Sequence, residues 1–133
     1  MTKQPGIAGY PPSTPTSCSD TSSRLHARLL ALKASGRIRL DTEEINALAY
    51  ALRDIQGEHI SLFGSRVEPE RRGGDIDILI LTDQPAFALS QAVAVRFFSC
   101  CEEKIDVIVM NPNRLTSEQS DFLSRIDHIE IAP

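Results

Sequence analysis

Two aspartates one residue apart, Asp75 and Asp77, stand at the head of an apolar run, DIDILIL, at 75–81. Residues i and i+2 of a strand point to one face, about 6.5–7 Å apart at Cα. Asp75, Asp77 and Leu79 therefore share one face, and Ile76, Ile78 and Ile80 the other, which is the core face. Two ionised carboxylates at that spacing repel and need a compensating positive charge or a raised pKa. A hard divalent cation with oxygen ligands, Mg2+ above all, meets that need. A third acid, Asp106, interrupts a second β-type run, KIDVIVM, at 104–110. If the two strands are neighbours, three carboxylates line one edge of a sheet. Three acids can hold two metals about 3.5–4 Å apart, a recurrent arrangement for in-line attack on a phosphoryl group.

Ten residues before Asp75, an apolar run ends in Gly64-Ser65. Backbone N–H groups at the start of a helical turn bind anions, and glycine lets a phosphate approach the chain. Ser65 can add a hydroxyl hydrogen bond, and Arg66 is placed for a phosphate contact. Taken singly, each feature has an ordinary reading: an exposed strand face, a plain turn, a solvated arginine. The combination carries the chemistry. The pattern is not the G-x-x-x-x-G-K-[ST] phosphate loop. Arg71 and Arg72, in the intervening loop VEPERRGG, read as solvated. Gly73 and Gly74 free the chain just before the strand.

The elements that must position these residues follow from periodicity. Leu25, Leu29 and Leu32 predict a helix over 22–36, with Gly36 as its stop. The segment 41–57 predicts a second helix, opened by a capping-box-like Asp41 and Glu44 and closed by Gly57. Its apolar stripe is Ile45, Leu48, Ala49, Leu52 and Ile55. HISLF (59–63) reads as a strand, 84–103 as a helix with Pro85 near its start, 117–126 as a short helix, and HIEIA (128–132) as a last strand. The alternation predicts an α/β (α+β) domain over 22–133, a small mixed β-sheet with helices packed on it. Residues 1–21, rich in Pro, Ser, Thr and Gly, read as a disordered tail.

The chain has 133 residues, 41% of them apolar, and a formal charge of −4. That suits one domain with a real core. No basic cluster is long enough to grip nucleic acid. The N-terminal segment lacks the apolar core of a secretory signal, and no run approaches the ~18 residues of a membrane span. Cys18, Cys100 and Cys101 have no metal-ligand spacing and are expected to be reduced thiols. A cytoplasmic protein without a membrane partner is expected.

The stretch LFGSR, nine residues after Ser65, then DIDILI resembles the signature of the DNA polymerase β-like nucleotidyltransferase superfamily. It looks most like the minimal nucleotidyltransferases, over residues 41–110. The Gly73-Gly74 pair replaces the family's small polar residues, and residues 1–21 with the helix after them extend beyond its usual form. The resemblance implies a nucleotidyltransferase fold with Asp75, Asp77 and Asp106 as metal ligands for two Mg2+ ions. It implies that Asp106 helps activate the attacking hydroxyl, and that Gly64 and Ser65 hold the nucleotide phosphates. The implied reaction transfers NMP from an NTP, with ATP as the family's substrate, and releases pyrophosphate. Many minimal members are antitoxins paired with a HEPN-domain toxin encoded next door, and some transfer AMP to a tyrosine of that toxin. Two other functions are weighed: an antitoxin that neutralises its toxin by contact alone, and a small-molecule (antibiotic) nucleotidyltransferase. The second has little room in 133 residues for a substrate domain unless a homodimer supplies it. Homo- and hetero-oligomers are both left open.

Overall fold

A computed structural model describes residues 23–55 and 59–132. The predicted tail, Cys18 and the expected helix stop at Gly57 lie outside the described residues. Helix α1, Ser23–Ala34, buries Leu25, Leu29 and Leu32 on one side. It ends where predicted. Gly36 turns the chain with φ +79, its N–H donates to the Lys33 carbonyl, and the Arg37 N–H donates to that of Leu32. Helix α2, Thr42–Ala51, opens with a complete capping box: Asp41 accepts from the Glu44 N–H, and Glu44 accepts from the Asp41 N–H. Ile45, Leu48, Ala49 and Leu52 are buried as the stripe requires. The helix stops at Ala51 rather than continuing to 57. There the Arg53 guanidinium donates to the Tyr50 carbonyl and stacks 4.1 Å from the centre of the Tyr50 ring. This satisfies an end carbonyl that a longer helix would have bonded internally.

Four strands follow: β1 His59–Phe63, β2 Ile76–Leu81, β3 Ile105–Met110 and β4 His128–Ala132. They pair in the order β3-β2-β1-β4. β1 is antiparallel to β2 and β4, while β2 and β3 run parallel. A parallel pair needs a crossover, and helix α3, Ala86–Phe98, supplies it. α3 ends five residues before the predicted 103. The Ser99 N–H and Oγ both donate to the Arg96 carbonyl and close it. Helix α4 spans Ser117–Arg125, with a second capping box between Thr116 and Gln119. The fold is therefore mixed α/β with a four-stranded mixed sheet, as expected at that level.

Ile60, Leu62, Ile76, Ile78 and Ile80 pack with Leu29, Leu48 and Phe97 in the main core. The opposite face is only partly open. Phe63, Leu79 and Met110 form a second cluster under Phe122, Leu123 and Ile126 of the α4 region, and the Phe63 and Phe122 rings meet edge to face at 5.7 Å. One end of that face is thus apolar and covered, and the other carries the aspartates. Cys101 is a buried free thiol.

Candidate active site

Strand pairing brings the predicted acids together. Asp77 of β2 and Asp106 of β3 are direct partners across the parallel ladder. Neighbouring strands lie about 4.8 Å apart, so the two carboxylates leave the same face side by side. Asp75 lies two residues before Asp77, just ahead of the strand, and shares its face. On the other side of Asp77 the partner is Phe63, and beyond Phe63 it is His128. One row across the sheet therefore reads His128, Phe63, Asp77, Asp106. Asp75 and Asp77 are half-buried, while Asp106 is exposed on the edge strand.

The chain leaves β1 at Phe63 into a short 3-10 turn, Gly64–Val67, which brings Gly64-Ser65 to the same end of the sheet. Gly64 has φ +75, and a Cβ there would overlap the Asp77 carboxylate oxygen Oδ2. Only glycine both adopts that backbone and leaves the carboxylate in place. Gly74 repeats the pattern, with φ +88 and a hypothetical Cβ that would overlap Ser65 Oγ. The Ser65 hydroxyl donates a long 3.5 Å bond to the Asp75 carbonyl. The Gly-Ser turn and the aspartate pair thus touch at two points.

Among the described residues, no ion pair involves Asp75, Asp77 or Asp106. The Asp77 carboxyl is pushed above the usual carboxylate range, first by burial and then by the charges of Asp106 and Asp75. Among the described residues, no cation lies within ion-pair distance of this negative charge. Among the described residues, no three acidic, histidine or cysteine side chains converge to metal-ligand spacing. Like charges with no counter-charge between them have no reason to converge. Three hard oxygen donors on one edge, one of them held uncomfortably charged, make a donor set that suits a hard divalent cation such as Mg2+.

No family model matches the chain, and no curated protein does.

Arg66 does not do what its position in the sequence suggests. Its side chain is buried, with a bidentate ion pair to Glu44 at 2.9 and 3.1 Å. Its Nε donates to the Gly74 carbonyl at 3.0 Å and its Nη1 to the Arg39 carbonyl at 2.8 Å. Four of its contacts are internal, so it clamps the loop instead of presenting its charge to a phosphate. Glu44 and Arg39 are the residues that sequence reasoning missed. Glu44 carried a visible signal, the capping box, but that box accounts for only one of its acceptor contacts. Arg39 carried none. Arg71 and Arg72 stay exposed, as expected of a solvated loop.

Proposed function

We propose that this chain is a Mg2+-dependent nucleotidyltransferase that transfers NMP, specifically AMP from ATP, to a hydroxyl of a partner protein. The partner that fits the resemblance is a HEPN-domain toxin, which makes the chain the antitoxin of the pair. One observation carries the reading: Asp77 and Asp106 are register partners in parallel strands, with Asp75 beside them and the Gly64-Ser65 turn packed against Asp77.

Asp75, Asp77 and Asp106 would hold the metal. Bound divalent ions would supply charge neutralisation for the triphosphate and polarise the attacking hydroxyl. Gly64 and Ser65, in the turn at the end of β1, seat the phosphates beside the Asp77 carboxylate. Asp106, the exposed carboxylate, is the one open to an incoming acceptor and helps take its proton. The acceptor oxygen forms a bond to the α-phosphorus as the bond to pyrophosphate breaks. No helix among the described residues is long and apolar enough to cross a membrane.

A contact-only antitoxin draws on a different observation. Phe87, Val95 and Phe98 of α3 stand 78%, 65% and 50% exposed, apolar area of the kind that partner proteins cover. The test is label transfer from α-labelled ATP, with Mg2+, to the product of the adjacent gene. Transfer that Asp77→Ala abolishes is expected, and transfer that Asp77→Ala leaves intact would sink the enzymatic reading. Neutralisation undiminished in the Asp75→Ala/Asp77→Ala double variant would favour contact alone.

A further inference from the structure

Asp77 and Asp106 are held by the strand ladder, but Asp75 is not. It precedes β2 and depends on the loop that delivers it. That loop leaves the sheet at Gly64 and returns at Gly74, with positive φ at Gly64, Gly73 and Gly74. Such a backbone has many alternatives unless something outside it selects one.

Arg39 supplies the selection. It sits between α1 and α2, outside the loop in sequence. Its Nη2 donates to the Ser65 carbonyl at 2.7 Å and to the Gly73 carbonyl at 3.0 Å, and its Nε to the Glu68 carbonyl at 2.9 Å. One guanidinium therefore ties the outgoing turn to the returning strand. Its own backbone is locked to Arg66: the Arg39 N–H donates to the Arg66 carbonyl, and Arg66 Nη1 donates back to the Arg39 carbonyl. Arg66 in turn takes the Gly74 carbonyl and is anchored by buried Glu44. The planar fork of arginine can span several carbonyls at once, which a lysine ammonium on its flexible stem does poorly.

We propose that Arg39 is a positioning residue: it fixes the Gly64–Asp75 loop, and so sets Asp75 against Asp77 for divalent-metal binding. The inference rests on the nucleotidyltransferase reading for the metal, and on geometry alone for the loop. Partners that orient metal ligands from outside commonly change affinity about 10–100-fold when removed.

The experiment uses the full chain as wild type, Arg39→Gln and Arg39→Lys. It measures Mn2+ binding by electron paramagnetic resonance, amide hydrogen exchange, and the urea midpoint. Arg39 bonds only backbone carbonyls and is partly exposed, so the urea midpoint should move little. The Glu68 and Arg71 amides, which bond the Ser65 and Glu68 carbonyls, should exchange about tenfold faster or more in Arg39→Gln. The amides of β2 and β3 should keep their protection. Mn2+ affinity should fall about tenfold or more in Arg39→Gln, with Arg39→Lys between it and wild type. Wild-type binding that Arg39→Gln leaves within about twofold, or that falls only in step with the urea midpoint, overturns the positioning role alone. A wild-type chain that binds no Mn2+ overturns the functional reading and this inference with it.

Discussion

The buried pair between Glu44 and Arg66 offers the sharpest perturbation. The two side chains are 4% and 7% exposed, so neither charge has access to bulk water. Arg66→Met removes four hydrogen bonds: two to Glu44, one to the Gly74 carbonyl and one to the Arg39 carbonyl. It also leaves the Glu44 carboxylate buried, with the Asp41 N–H as its remaining donor. Breaking a buried pair by removing one partner costs about 3–5 kcal/mol, chiefly because a charge is stranded. At a urea slope of about 1–3 kcal/mol/M, the midpoint should fall by about 1–5 M. Adding Glu44→Gln neutralises the stranded group and keeps an oxygen to accept from the Asp41 N–H. The Glu44→Gln/Arg66→Met double variant should therefore be more stable than Arg66→Met alone, by about 1–3 kcal/mol. Urea unfolding at neutral pH, followed by far-ultraviolet circular dichroism, reads both comparisons. An Arg66→Met penalty under about 1 kcal/mol would place the pair in the class of solvated surface bridges. A double variant less stable than Arg66→Met would refute the stranded-charge explanation. Because Arg66 also holds Gly74, label transfer should fall in Arg66→Met even at temperatures where the chain stays folded.

Four further outcomes follow from the geometry. Gly64→Ala should lose about 1–2 kcal/mol for its positive φ and more for displacing the Asp77 carboxylate, and should lose transfer. Gly36→Ala, with φ +79 and open space around it, should lose only the first part in urea unfolding and keep transfer. Burial and the neighbouring acids raise the Asp77 carboxyl, so the folded metal-free chain binds that proton more tightly than the unfolded chain does. Its stability should therefore fall as pH rises from the usual carboxylate value through the raised one. Asp77→Asn should raise the melting temperature of the metal-free chain at neutral pH and abolish any shift on adding Mg2+ or chelating it; a lower melting temperature would contradict this. Asp54 behaves in the opposite sense. Hydrogen bonds from Arg96 hold its carboxyl below the usual range, so its contribution is present above the ordinary carboxylate value and is lost as pH falls through the lowered one. The carboxylate is largely exposed, so Asp54→Asn should shift neutral-pH stability by less than about 1 kcal/mol, measured by urea unfolding.

What the sequence determined by itself is local. The period of two in DIDILIL put Ile76, Ile78 and Ile80 into the core and turned Asp75 and Asp77 to the other face. The Asp41 and Glu44 spacing set the start of α2, and Gly36 ended α1. These follow from side-chain direction and from unsatisfied helix ends, which a few adjacent residues decide. Only the tertiary structure decided the rest. The parallel pairing that seats Asp106 opposite Asp77 depends on a crossover through α3, and Asp106 by itself is an ordinary polar residue near a strand start. Leu79, read only as a neighbour of the aspartates, proved buried because α4 folds over that face. Arg66 looked like a phosphate ligand because its sequence neighbours are Gly64 and Ser65. It is a clamp because Glu44, 22 residues away, is buried beside it. A charged side chain's role depends on which partner reaches it first, and contacts made across such separations have no periodicity to betray them.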